Sequence, residues 1–224
     1  MNDNRPPDDY SRAVFVTAVR SINQVRQAQR LINSIRSFGG SLSGAPIRVY
    51  HSTPDLPSGQ FMAGDNLSLH PLRLPDNMSS YWFAEKGAAC APAEEMVGAD
   101  FPVLIWISPD TLVLQEPTDF LLEYPHQIAL RPVHIRNIGQ KSDENLSPYW
   151  KAIYTYCGIE PISYTVKSFI GEEFLRAYFN THAFSVNPAP GLMKTWWKAF
   201  SVLAVDPTFQ DQLCQDIPPR IFLH

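Results

Sequence analysis

Apolar positions recur along this chain with two alternating periods. Residues 13–18 (AVFVTA) are a short run of β-branched and aromatic side chains, which predicts a strand covered on both faces. Behind Ser21, a residue suited to capping a helix, Ile22, Val25, Ala28, Ile32 and Ile35 return at helical spacing, and Gly39 and Gly40 are placed to end it. Residues 46–51 (PIRVYH) predict a second strand. Strand, amphipathic helix, strand is the signature of a crossover between parallel strands, nearly always right-handed.

The pattern continues with interruptions. Residues 52–75 are rich in Pro, Gly, Ser and Asp and predict one short strand near Leu67 to Leu72. Tyr81 to Val97 reads as helix, with Pro92 expected to break it and Gly98 to close it. Phe101 to Pro117 (FPVLIWISPDTLVLQEP) predicts a buried strand, a polar turn at Ser108, Pro109 and Asp110, and a second apolar stretch. Gln127 to Ile135 predicts a strand, Ser147 and Pro148 begin a helix that runs through Cys157 to Gly158, and Phe179 to Asn187 is a further strand. A helix follows over Pro190 to Leu203, with Met193, Trp197, Phe200 and Leu203 as its apolar stripe, and Asp206 and Pro207 start a short last one. The alternation predicts an α/β fold with a mostly parallel central sheet and helices on both faces.

Composition narrows the class. The chain has 224 residues, of which 45% are hydrophobic and 18% charged, enough apolar material for one well-buried core. A single domain over 13–224 behind a flexible polar tail, residues 1–12, is expected. The net charge is -4 with Lys and Arg scattered, which argues against a nucleic-acid partner. The longest apolar run is interrupted at Ser108 to Asp110, so no transmembrane segment is expected. The polar N-terminus is unlike a secretory signal. Cys90, Cys157 and Cys214 are too few and too far apart for a disulfide framework or a local zinc cluster, and reduced, buried thiols in a cytoplasmic protein are expected.

The polar turn in the most hydrophobic segment carries the candidate chemistry. In an open α/β sheet, ligands bind beyond the carboxyl ends of the strands, and Asp110 stands there. A turn built on Pro109 and Asp110 with no further role is the plain alternative. Asn180 and His182 end a strand, Asp211 and Gln212 sit in a helical segment, and Lys86 and Thr17 precede the turn. Each has a purely structural reading as well. At least one of Trp196 and Trp197 reads as core rather than as a sugar-stacking platform, because Met193 and Phe200 share their helical spacing.

At these residues the sequence resembles a family. LIWISPDTLVLQEPTDFLL is similar to the strand, D-x-D turn and strand of glycogenin-like glycosyltransferases with the glycosyltransferase-A fold. YFNTHAFSVNP resembles the family's later F-N-S-G strand, FQDQL resembles its D-Q element, and Lys86 lies where the family often carries a basic residue. The resemblance implies an enzyme that transfers a sugar from a nucleotide-diphosphate sugar to an acceptor, here unknown. It implies nucleotide-sugar contacts at Thr17, Lys86, Ser108, Asp110, Asn180, His182 and Gln212, and a catalytic role for Asp211. It also implies a divalent cation, manganese or magnesium, held by Asp110. Such ions take hard oxygen ligands and neutralise charge on the leaving diphosphate.

Two positions depart from the pattern. Ser108 replaces the first carboxylate of D-x-D, and a hydroxyl is a weaker ligand. His182 stands where the family has glycine, adding bulk and a titratable ring. A catalytically silent relative that binds a nucleotide sugar or glycan is therefore the second reading. An aspartate-nucleophile phosphatase ranks lower, since Ser108 occupies the nucleophile's place. The resembled family usually continues beyond the point where PPRIFLH ends this chain, so the resemblance leaves two alternatives, a chain truncated at the C-terminus or a naturally short protein.

Overall fold

The first strand forms where the sequence places it. In the computed structural model β1 spans Val14–Val19, and all six of its residues are buried. The structure describes residues 12–52, 66–79, 81, 83–97, 100–161 and 163–212, the last three as backbone only. Most of the expected tail, Gly98 and Cys214 lie outside the described residues.

Helix α1 (Ile22–Phe38) begins as predicted, with the Ser21 hydroxyl accepting from the Gln24 N–H, and buries Val25, Ala28, Leu31, Ile32 and Ile35. Strands β2 (Ile47–His51) and β3 (Leu67–Pro71) follow. Next come α2 (Ala84–Val97), β4 (Leu104–Ile107) and β5 (Ile128–Pro132). After α3 (Pro148–Cys157) come β6 (Thr165–Lys167), β7 (Phe174–Arg176) and β8 (Phe179–Val186). The described chain closes with α4 (Leu192–Val205) and α5 (Pro207–Gln212).

Six strands form one sheet in the order β3-β2-β1-β4-β8-β5. The pairs β1–β2, β2–β3 and β1–β4 are parallel, and β8 runs antiparallel to β4. The sheet is therefore mostly parallel, as the alternation of elements requires.

The backbone divides into two compact units. One comprises residues 1–74, 85–129 and 182–195, the other 75–84, 130–181 and 196–224. The first has a deep core in which Phe15 and Val19 of β1, Ile47 and Val49 of β2, and Ile105 and Ile107 of β4 pack with the buried face of α1. The second has a small core of Tyr149, Leu203 and Phe209, with Trp150, Ile138, Ala152 and Ile153 against it. There α3 is capped by Ser147, whose hydroxyl accepts from the Trp150 N–H, and ends at Gly158 with φ 65°, the left-handed conformation that glycine adopts freely.

Three expectations are corrected. Helix α2 runs unbroken through Pro92. Losing one hydrogen bond costs about 3 kcal/mol, but Ala84, Ala88, Ala89, Cys90, Ala91, Ala93 and Val97 are all buried, and this packing holds the helix. The stretch after Asp110 is not a strand. The Val113 N–H donates to the Ser34 hydroxyl of α1 instead of to a ladder, and Leu112 and Leu114 are exposed. Cys90 is buried as expected, whereas Cys157 lies on the exposed face of α3. The β6–β7 hairpin has no counterpart among the predicted elements.

Candidate functional site

Strands β1 and β4 are parallel neighbours, with Val14 opposite Leu104 and Val16 opposite Trp106. The chain leaves both on the carboxyl edge of the sheet, where such folds bind ligands. The Ser108 N–H donates to the His182 carbonyl at 2.9 Å, carrying the β4–β8 ladder one step past β4. The Thr111 N–H then donates back to the Ser108 carbonyl at 3.1 Å, closing a turn with Pro109 and Asp110 at its centre. Proline suits the second position of such a turn because its φ is pre-set. Pro109 is buried and Asp110 exposed, so the turn holds its carboxylate out to solvent.

His182, on β8, places Nε2 3.2 Å from Oδ1 of Asp110. The two residues are far apart in sequence, and the ladder and the turn position them separately. Their side chains are 48% and 49% exposed, so the pair contributes no more than about 1 kcal/mol to stability. Its significance is geometric, as an imidazole and a carboxylate meeting at a sheet edge.

Arg20 leaves β1 on the same edge. Its Nη1 lies 3.4 Å from Oε2 of Glu85, at the start of α2, and its backbone N–H donates to the Gln24 side chain. Arg20 and Glu85 were not among the residues expected from sequence. The available signal was a cation directly after the first strand and a carboxylate beside Lys86.

The other expected residues are placed as follows. Thr17 is 2% exposed, and its hydroxyl makes no hydrogen bond among the described residues. Lys86 is also buried, and desolvation lowers its pKa to about 7 against the opposing pull of Glu85. Burial likewise pushes the Cys90 thiol well up, which keeps it protonated and inert. Asn180 is exposed on β8, two residues before His182. Asp211 and Gln212 lie on α5, their side chains outside the described residues.

Among the described residues no group of three His, Cys, Asp or Glu side chains could hold a metal ion. Magnesium takes six and calcium six to eight oxygen ligands, and this turn offers one carboxylate, already facing an imidazole. An ion there would have Asp110 as its one carboxylate ligand from this turn and would draw the others from water and from phosphate oxygens of a ligand. The described side chains of this edge are the Asp110 carboxylate beside the His182 imidazole and the Arg20 guanidinium beside the Glu85 carboxylate. No helix among the described residues is long and apolar enough to cross a membrane.

No protein-family model matches the chain, and no curated protein matches it. Solved structures do. An active-site mutant of LgtC aligns at a TM-score of 0.52 and 12% identity, covering 92% of this chain and 68% of its own. WbbM, a bifunctional glycosyltransferase, gives 0.49 at 13%, covering 90% of this chain, which spans only 36% of WbbM's length. The 4-diphosphocytidyl-2C-methyl-D-erythritol synthase from Anaerococcus prevotii gives 0.48 at 5%, over 87% and 77% of the two chains. At such identities the likeness is one of fold. The chain has the glycosyltransferase-A-like α/β fold, with a mostly parallel central sheet, as the sequence resemblance implied.

Proposed function

We propose that this protein is glycosyltransferase-like, taking a sugar from a nucleotide-diphosphate sugar and passing it to a glycosyl acceptor. The observation that carries the reading is the meeting of Asp110 and His182 at the carboxyl edge of the sheet. Two sequence motifs, each resembling the same family, supply the two partners. In this reading residues 13–224 act as one domain. Ser108, Asp110 and His182 meet the donor, and Thr17 and Lys86 lie toward its nucleotide.

A second reading is favoured by Ser108, which leaves the turn one carboxylate short. In it the chain binds a nucleotide sugar or glycan without transferring it.

Binding tests the shared premise without a known acceptor. Thermal unfolding is followed with uridine and guanosine diphosphates and their sugars. A ligand at about a hundred times its dissociation constant adds roughly 2.7 kcal/mol to the native state. The expected result is a nucleotide-dependent shift that Asp110→Ala removes, and a flat response to every nucleotide would overturn both readings. Hydrolysis or transfer of the donor sugar, measured on the same preparation, separates enzyme from silent binder.

A further inference from the structure

The β6–β7 hairpin borders a cleft that the sheet-edge site does not use. Its volume is about 500 Å3, within the range of small-molecule sites. Tyr164, Thr165, Lys167, Phe169 and Glu172 of the hairpin and its approach form most of the wall, and His134, two residues beyond β5, completes it.

Backbone bonds fix this frame. The Phe169 N–H donates to the His134 carbonyl at 2.9 Å, and the Ser168 N–H donates to the Glu173 carbonyl at 2.8 Å. The Ser168 hydroxyl donates to the Ile170 carbonyl and closes the tip. Glu172 has φ 54°, a left-handed conformation uncommon for a residue with a side chain, and its carboxylate meets Lys167 Nζ at 3.3 Å.

Two kinds of group remain open to a ligand. The side chains of Tyr164 and Phe169 stand out from the surface, at 60% and 78% exposure, and the Phe169 ring rests beside the His134 imidazole with centroids 4.9 Å apart. Among the described residues the Tyr164 and Thr165 hydroxyls and the His134 ring nitrogens make no hydrogen bond, so they keep their capacity to donate and accept. The ammonium and the carboxylate of the lining, Lys167 and Glu172, pair with each other, so the cleft selects neither for a cation nor for an anion.

That combination matches one ligand chemistry. A neutral pyranose presents a face of C–H groups that an aromatic ring can cover, and hydroxyls around its rim that both donate and accept. An extended peptide fits less well, because β6 is three residues long and carries Lys167, features that discourage strand addition. We propose that this cleft binds a neutral oligosaccharide, with sugar rings lying on Tyr164 and Phe169 and hydroxyls meeting Thr165, His134 and the Lys167–Glu172 pair. It does so whether or not the chain transfers a sugar, so the inference stands apart from the donor-binding reading.

Isothermal titration of the full chain with maltohexaose, cellohexaose, chitohexaose and mannohexaose tests it, with a threonine–valine hexapeptide as the competing class. The expected result is saturable binding of at least one sugar with a millimolar or smaller dissociation constant, unchanged between low and high salt. Tyr164→Ala and Phe169→Ala are each expected to weaken that binding about fivefold or more, with Tyr164→Phe between Tyr164→Ala and the parent. Both side chains are exposed, so these variants are expected to unfold at the parent's temperature, which separates a lost contact from a lost fold. Uridine diphosphate, titrated beside the sugars, is expected to give the same response in the variants as in the parent. No binding of any of the four sugars would overturn the cleft's role and leave the donor-binding reading standing. So would full sugar affinity in the folded Tyr164→Ala/Phe169→Ala variant, or a nucleotide response that these variants abolish. Binding of the peptide in place of sugar, or an affinity that falls steeply with salt, would overturn the neutral-glycan chemistry.

Discussion

The β1–α1–β2 region and the 130–181 segment are held together by different means. In the first, strand residues buried on both faces of a parallel sheet pack against one apolar face of a helix, and Phe15, Leu31, Ile35 and Ile47 are 2% exposed or less. In the second, β6 and β7 are three residues each, and the core of its unit is small, with Tyr149, Leu203 and Phe209 packed by Ile138, Trp150, Ala152 and Ile153. Specific polar contacts supply much of the order there. Arg176 donates to the carbonyls of Ser142 and Glu144, and Lys141 pairs with Glu173 at 2.6 Å. Phe169 and Ile170, at the hairpin tip, are 78% and 75% exposed. Hydrophobic burial writes a periodic pattern into a sequence, whereas side-chain to carbonyl bonds leave no period to read.

The sharpest way to break this comparison is a cavity in each core. Phe15→Ala is expected to cost about 3–5 kcal/mol in urea unfolding, and Leu203→Ala less, because its cluster is small and open enough to collapse. Equal losses at the two positions would erase the distinction.

The buried amine of Lys86 marks the α2 side of the larger unit. Its folded pKa of about 7 lies below its ordinary 10.5, so between those values the unfolded chain binds more protons than the folded one. Stability therefore rises with pH across that window, by at most about 1.4 kcal/mol per pH unit from this group. Below pH 7 the penalty is fully present, and above 10.5 it is gone. Lys86→Met is expected to flatten the slope in denaturation measured from pH 7 to 10, and an unchanged slope would place the amine in solvent.

Local capping is shared by both regions and is expected to be worth the same in each. Ser21→Ala at α1 and Ser147→Ala at α3 should each cost about 1 kcal/mol. A much larger loss at Ser147 would show that α3 carries more of its unit than its small core suggests. The smallest effect is expected at the hairpin tip, where Phe169→Ser should change stability by no more than about 0.5 kcal/mol. A larger change would mean that Phe169 is covered in solution.

The sequence by itself determined the elements whose burial is periodic or whose ends carry a chemical signal. The strands β1, β2, β3 and β8 belong here, as does α1 behind Ser21. So do α3 between Ser147 and Gly158, and α5, whose first turn is closed by the Asp206 carboxylate accepting from the Phe209 N–H. It also placed Asp110 at a strand end and put Asn180 and His182 on one strand. Tertiary structure decided what depended on partners distant in the chain. Pro92 stays inside a helix because that helix is buried. Val113 leaves the strand pattern because its N–H finds Ser34. His182 meets Asp110, and Arg20 meets Glu85, only because β8 and α2 are brought to the ends of β4 and β1. Local propensity is summed over a few neighbouring residues. A sheet edge assembles groups from separate strands and helices, and their spacing is set by hydrogen-bond register and core packing.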